Sequence, residues 1–317
     1  MDKRKEILSV LACELRRLLE KADLDYEQLQ EIRLRAGKPL VMIYQNRECF
    51  LSAAGVLTEK IQEAVLVDPK WLRESMEYVS NYSFYAYEEE MRQGYITIRG
   101  GHRVGIAGKT VIEGEHIVQM KHISFMNIRL SHEKIGCGNA ICPYIVEKDE
   151  VLSTLLISPP RCGKTTMLRD LIRILSSGEG MERGYTVGVV DERSELGGCY
   201  MGIPQNNLGP RTDVLDCCPK AQGMMMLLRS MAPQIIAVDE IGGSKDMDAL
   251  KYAANCGCAL LATVHGSSME DVRTRPIVGS LVDMHIFKRY IVLASGKRLG
   301  NVSSIYDDMG NCLLNRA

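Results

Sequence analysis

The sequence lacks a long apolar segment, an excess of charge and any paired-cysteine motif. No apolar run approaches the ~18 residues that a membrane-spanning helix needs, so we do not expect a transmembrane protein. The 39 basic and 40 acidic residues leave a net charge of -1, which gives no general footprint for nucleic acid or an anionic membrane. The eleven cysteines include no CxxC pair to begin a zinc site, and their odd number is typical of reduced thiols. We therefore expect a cytoplasmic protein whose overall charge gives no general affinity for nucleic acid.

Composition and length predict two globular domains. The 46% hydrophobic and 25% charged residues are average values that exclude disordered and collagen-like classes. The 317 residues suffice for about two domains of roughly 150 residues each. In residues 1–145 helices and strands do not alternate regularly, so we expect an α+β domain. Its predicted elements are an amphipathic helix over 1–21, a hairpin joining 31–35 to 39–44, a helix over 71–79 and strands between 94 and 130.

Residues 146–317 show a different pattern, in which short apolar strands alternate with helices. The strands read STLLIS (153–158), TVGVVD (186–191), IIAVD (235–239) and CALLATV (258–264). Strands that are apolar on both faces and separated by helices predict an α/β fold with a parallel sheet covered on both sides. The segments HIFKRYIVLASG and RLGNVSSIYDD then predict an added antiparallel hairpin.

A phosphate-binding loop follows the first of these strands and opens a helix. The segment SPPRCGKT (158–165) matches the pattern G-x-x-x-x-G-K-[ST] except that Ser158 replaces the first glycine. Amides of such a loop and of the helix start converge on phosphate oxygens, Lys164 adds a charge for the β and γ phosphates, and the Thr165 hydroxyl can ligate Mg²⁺. The predicted ATP-binding residues are Ser158, Pro159, Pro160, Arg161, Cys162, Gly163, Lys164, Thr165 and Thr166.

Acidic residues and a histidine follow the other strands. Asp239 ends the strand 235–239 and would reach Mg²⁺ directly or through water, while Glu240 would polarise or deprotonate the attacking water. Asp191 and Glu192 end the strand 186–191 and face the same crevice, since ligands of parallel sheets lie at the carboxyl ends of strands. Which of these acids assists the water stays open. His265 would sense the γ-phosphate through a hydrogen bond.

Two arginines are weaker candidates for stabilising a neighbouring subunit's nucleotide. Arg211 lies in the loop LGPRTDVL, and Arg229 ends the helical run GMMMLLR. An arginine reaching the γ-phosphate would stabilise the charge that develops during transfer. A surface salt bridge is the competing interpretation for each.

In their order along the chain, SPPRCGKT, VVDERSE, IIAVDE and TVHG resemble the motifs of the secretion-ATPase superfamily, the motors of type II and type IV secretion and of type IV pili. The resemblance implies a RecA-like ATPase core that uses ATP and Mg²⁺ and assembles as a homo-oligomeric ring, a hexamer. It also implies an amino-terminal domain whose arginines close over the nucleotide, here Arg103 in GHRVGI and Arg129 in NIRL. Ser158 and Asp191 depart from the family pattern, which has glycine and glutamate there.

Further segments, among them EIRLRAGKPL, HRVGIAGK, RTDVLD and KAQGMMMLLRSMAP, resemble a family of sporulation proteins of endospore-forming bacteria. That resemblance implies an ATPase at the mother-cell side of a channel to the forespore, working with membrane proteins of the same apparatus at the inner face of a membrane. Two other functions compete with it. One is a scaffold that assembles on binding nucleotide but hardly hydrolyses it, and the other is a DNA-handling RecA-like motor.

Overall fold

The computed structural model describes residues 2–295 and 300–316, apart from the side chain of His116. The chain divides into two compact units, Met1–His132 and Glu133–Ala317. This division lies before the predicted boundary at 145/146. Residues 133–145 group with the second unit because Ile141 and Ile145 are buried in its core.

The first unit packs helices against one face of an antiparallel sheet. In chain order its elements are α1 (Lys3–Ser9), α2 (Cys13–Lys21), β1 (Leu29–Arg35), β2 (Val41–Tyr44), β3 (Arg47–Leu51), β4 (Leu57–Thr58), α3 (Pro69–Val79), α4 (Glu88–Gln93), β5 (Tyr95–Ile98), β6 (His102–Glu113) and β7 (His116–Arg129), with 3₁₀ turns at Ile61–Glu63, Phe84–Tyr87 and Arg99–Gly101. The strands lie in the order β4-β3-β2-β1-β7-β6-β5. The predicted hairpin is confirmed, because β1 and β2 pair antiparallel.

The predicted first helix is interrupted in the structure. Its apolar stripe is buried as expected, but the chain forms α1 and α2 with a break between Ser9 and Cys13. The break is stabilised by α3, since Ser75 Oγ accepts from the Ala12 amide at 2.9 Å and Glu74 Oε1 accepts from the Cys13 amide at 3.0 Å. These bonds satisfy amides at the start of α2 that have no partner within the helix. The prediction of one continuous helix was therefore wrong.

The second unit is built on a mixed, mostly parallel sheet. Its elements are α5 (Cys142–Ile145), β8 (Val146–Glu147), β9 (Glu150–Val151), β10 (Thr154–Ser158), α6 (Lys164–Ser177), β11 (Val187–Asp191), β12 (Thr212–Asp216), α7 (Lys220–Ser230), β13 (Ile235–Val238), α8 (Ser244–Asn255), β14 (Ala259–His265), α9 (Met269–Arg273), α10 (Pro276–Asp283), β15 (Arg289–Leu293), β16 (Val302–Asp307) and β17 (Cys312–Asn315). The large sheet has the order β12-β11-β13-β14-β10-β15-β16-β17. Strands β12 to β15 in this order are parallel, and β16 and β17 are antiparallel additions.

Apolar side chains on both faces of the central strands explain the layers. Within β10, Leu155 and Ile157 pack with residues of α7, α8 and α10, whereas Leu156 packs with α6 on the other face. All three are buried, and full burial of one such side chain contributes about 1.5–3 kcal/mol. The predicted α/β architecture with a parallel sheet covered on both sides is confirmed. It brings the carboxyl ends of β13, β14 and β10 side by side.

The predicted hairpin near the end is only partly independent of this sheet. Strand β15 pairs parallel with β10 on one side and antiparallel with β16 on the other, so it belongs to the main sheet. Residues 296–299 of the predicted hairpin lie outside the described residues. Over the ranges 2–295 and 300–316, no helix combines the length and apolar character needed to cross a bilayer.

Candidate nucleotide-binding site

The loop between β10 and α6 leaves the helix amides open. Gly163 is the N-cap of α6 with φ +85°, a conformation that suits glycine, and no side chain caps the helix. A Cβ at Gly163 would lie 3.4 Å from the Cα of Gly300, which is an ordinary contact, so the left-handed backbone and not a lack of space favours glycine here. The first amides of a helix have no intrahelical acceptors and carry the positive end of its dipole. The start of α6 therefore fits a phosphate group.

Ser158 occupies the first position of the loop without strain. Because it is the last residue of β10, its backbone is extended and does not require glycine. The residue is also buried. Its hydroxyl donates to the Pro159 carbonyl at 3.0 Å, and its own carbonyl accepts from the Gly266 amide at 3.1 Å. The departure from the strict glycine pattern thus has a local explanation. Farther along the loop Arg161 is exposed, with φ +62°.

Two threonines hold the carboxylate of Asp239. Thr165 Oγ1 donates to Asp239 Oδ2 at 2.6 Å, and Thr263 Oγ1 donates to Asp239 Oδ1. Hydroxyl and carboxylate oxygens are the hard ligands that Mg²⁺ takes together with phosphates and water. The donor set at Thr165 and Asp239 therefore fits Mg²⁺ bound with a nucleotide. In the described part of the chain, no group of three or more His, Cys, Asp or Glu residues is arranged to hold a metal ion by itself.

Glu240 lies next to Asp239, and its carboxylate contacts the ring of His265 and the guanidinium of Arg193. His265 Nε2 lies 2.7 Å from Glu240 Oε1, and Arg193 donates to Glu240 Oε2 at 3.1 Å. Burial acts to raise the pKa of Glu240, but the positive charge of Lys164, the His265 contact and Arg193 together hold that pKa below its ordinary value. Glu240 is therefore ionised at neutral pH. Lys164 itself is buried at the start of α6.

Asp191 and Glu192 are committed to other contacts. The carboxylate of Asp191 accepts from the amides of Glu195, Leu196 and Gly197 at 2.8, 2.9 and 2.7 Å. Burial raises the pKa of Asp191 to about 6, and the nearby charge of Asp216 acts in the same direction against these bonds. Glu192 forms an ion pair with Lys220. Across the described residues, neither acid has a hydrogen bond to Asp239, Glu240 or His265.

The comparisons with known proteins agree with the order of motifs. A family model described as "Sporulation stage III, protein AA" matches residues 1–313. The chain belongs to this sporulation family. It is 41% identical to stage III sporulation protein AA of Bacillus subtilis (strain 168) over 309 residues, which cover 97% of this chain and 96% of that protein. The resemblance drawn from the sequence motifs is confirmed.

The fold of this sporulation-family chain is similar to the folds of two solved proteins. The Legionella pneumophila ATPase DotB matches with a TM-score of 0.56 at 15% identity, covering 88% of this chain and 75% of that one. The pilus retraction motor PilT, solved with bound ADP, matches with a TM-score of 0.54 at 14% identity over 90% and 77% of the two chains. The predicted RecA-like architecture of this superfamily is therefore confirmed.

The predicted arginines lie in several places on this member of the family. Arg211 NH1 donates to the Ser176 carbonyl at 2.9 Å, so it satisfies the end of α6, and Arg229 is exposed in the last turn of α7. In the first unit Arg103 and Arg129 lie opposite each other on β6 and β7. Their neighbours in sequence are core residues, so both arginines project from the other face of the sheet. The guanidinium of Arg103 lies 4.1 Å from the centre of the Tyr95 ring.

Thr263 and Arg193 contact the site, although no sequence motif predicted a role for either. A signal for Thr263 was available, because it precedes His265 by two residues on one strand and alternate residues share a face. Arg193 follows Asp191 by two residues, but beyond the end of β11 this alternation no longer applies. Its contact with Glu240 depends on the turn after the strand, which the sequence does not specify.

Proposed function

We propose that the chain is a Mg²⁺-dependent ATPase that converts ATP hydrolysis into motion. The observation that carries the proposal is the convergence of Thr165, Asp239 and Glu240 with Lys164 and His265 at the ends of three neighbouring parallel strands. This arrangement supplies phosphate binding, metal ligands and a base at one place, which are the components of phosphoryl transfer to water.

Each residue has a separate task in this proposal. The amides at the start of α6 and the Lys164 ammonium bind the phosphates. Thr165 and Asp239 hold Mg²⁺, which when bound neutralises charge on the β and γ phosphates. Glu240 accepts a proton from the attacking water. Its carboxylate has about four acceptor sites, of which His265 and Arg193 use two, so water can bind as well.

In this proposal the first unit contributes arginines to the nucleotide. Arg103 and Arg129 close over the γ-phosphate and report its presence, as the resemblance to secretion motors implies. Copies of the chain form a ring, and the ring acts in the cytoplasm beside the membrane proteins of a sporulation channel. Support comes from the family match and from the shared fold of DotB and PilT.

Phosphate release by the full chain tests the hydrolysis step. We expect phosphate release from ATP in the presence of Mg²⁺ and none when EDTA replaces Mg²⁺, because the site holds Mg²⁺ and the phosphates of ATP together. Light scattering on the same samples measures the mass of the assembly. If the chain assembled equally well with ATP and with a non-hydrolysable analogue, and released no phosphate, it would instead be a scaffold that assembles on binding nucleotide. DNA affinity that falls steeply with salt would identify the DNA motor.

A substitution in the first unit tests the closure. Arg129→Ala should lower turnover roughly 10- to 100-fold, because one charge-assisted bond to the γ-phosphate is lost. Arg47→Ala, an exposed arginine on β3 of the same sheet, is the matched control and should leave turnover unchanged. Equal turnover of the Arg129→Ala protein and the parent would show that this arginine does not reach the nucleotide.

A further inference from the structure

Thr263 links the two acidic residues at the end of β13. Its side chain is fully buried in β14, its hydroxyl donates to Asp239 Oδ1, and the same oxygen accepts from the Glu240 amide at 2.8 Å. A hydroxyl has one proton and two lone pairs, so one group serves both partners. The carbonyl of Thr263 also accepts from the Ile241 amide at 2.9 Å. One residue therefore fixes the chain from 239 to 241.

The backbone at Glu240 needs this support. Its φ is +59°, a left-handed conformation that is uncommon outside glycine and is energetically unfavourable for a glutamate. Such a conformation persists only where surrounding bonds determine it. The hydroxyl and carbonyl of Thr263 hold the amides of Glu240 and Ile241, and so define the turn that directs the Glu240 carboxylate toward His265.

The carboxylate of Asp239 needs a second contact for a different reason. Thr165 holds only Oδ2, and a single hydrogen bond leaves the carboxylate plane free to rotate. Thr263 holds the other oxygen from a strand in the middle of the sheet, where its backbone is bonded on both sides. The two threonines together fix the plane in which Asp239 presents oxygen to a metal.

We infer that Thr263 is a positioning residue that orients Asp239 toward the Mg²⁺ of a bound nucleotide. The inference rests on the proposed function, because it assigns Thr263 a part in magnesium-nucleotide binding. Thr263 touches neither phosphate nor metal in this role. It acts through Asp239, so its removal should change how strongly Mg²⁺ tightens nucleotide binding and should leave binding without Mg²⁺ unchanged.

The test measures calorimetric binding of a non-hydrolysable ATP analogue to the full chain, once with Mg²⁺ and once with EDTA. The ratio of the two affinities is the magnesium gain. In Thr263→Val, which keeps the shape and suits a strand, the gain should fall roughly 10- to 100-fold, the usual effect of losing a hydrogen bond to a charged group. Thr263→Ala should show the same loss, and Thr263→Ser should restore the gain.

The matched control is Thr154→Val on the neighbouring strand. Thr154 is equally buried and donates one hydrogen bond, to the Leu152 carbonyl at 2.7 Å, at the opposite end of β10. The Thr154→Val protein should keep the magnesium gain of the parent, although its thermal stability should fall about as much as that of Thr263→Val. The inference would be wrong if Thr263→Val and Thr263→Ala kept the magnesium gain of the parent. It would also be wrong if Thr263→Ser or Thr154→Val lost as much of that gain as Thr263→Val. Either result would leave the proposed function standing. A parent chain that binds no nucleotide would overturn the proposed function and the inference with it.

Discussion

Replacing Lys164 with alanine should weaken binding of the ATP–Mg²⁺ complex about 10²- to 10³-fold, or roughly 3–4 kcal/mol. Lys164 is buried at the first position of α6, where its charge adds to the helix amides. A buried charge acts in a lower dielectric than water, so its attraction for phosphate is stronger than that of a surface lysine. Turnover should fall below detection, because the substrate is no longer held. Isothermal titration calorimetry and phosphate release measure the two effects.

Lys245→Ala is the matched control for this prediction. Lys245 also lies in the first turn of a helix, α8, but is exposed and distant from the phosphate loop in sequence. It should bind and hydrolyse ATP as the parent does. The thermal midpoint of Lys164→Ala should not drop, since alanine favours helices and the variant no longer buries a charge. Undiminished nucleotide affinity in Lys164→Ala would remove the basis for the phosphate site.

The elements around the site could be predicted because local patterns determine them. The apolar runs ending in Ser158, Asp191 and Asp239 predict buried parallel strands, and parallel strands of one sheet bring their carboxyl ends to one edge. The phosphate loop is a local motif, so its strand-loop-helix setting follows from the sequence alone. The break between α1 and α2 could not be predicted, because its stabilising partners Glu74 and Ser75 lie about 60 residues away.

The roles of the three acids could not be separated from the sequence. Asp191, Glu192 and Glu240 all follow apolar strands, and their different surroundings depend on side chains brought together by folding. Three backbone amides surround Asp191, while Lys220 pairs with Glu192 from the start of α7. These contacts leave Glu240 as the acid beside His265 and Lys164. The distinction rests on tertiary contacts that no local pattern encodes.

Glu240→Gln should lower turnover about 10²- to 10⁴-fold while nucleotide binding is kept. Glutamine preserves the size and can still contact His265, but it cannot accept a proton from water. Removing a negative charge near Lys164 should leave the affinity for ATP equal or slightly higher. Because the pKa of Glu240 is held below its ordinary value, its carboxylate stays charged as pH falls from 8 to about 5. Turnover of the parent should therefore show no loss from Glu240 in that interval, and any loss from its protonation should begin only in more acidic solution.

Glu192→Gln distinguishes a base from an acid that only forms an ion pair. Its side chain is 39% exposed and paired with Lys220, so the change should cost at most about 1 kcal/mol of stability and leave turnover intact. Single-turnover phosphate release from pre-bound ATP separates the chemical step from binding in both variants. If Glu192→Gln slows that step as strongly as Glu240→Gln, the water is activated from β11 and the assignment to β13 is wrong. If only Glu240→Gln slows it, the acid that follows β13 beside the Thr263 contact is the base.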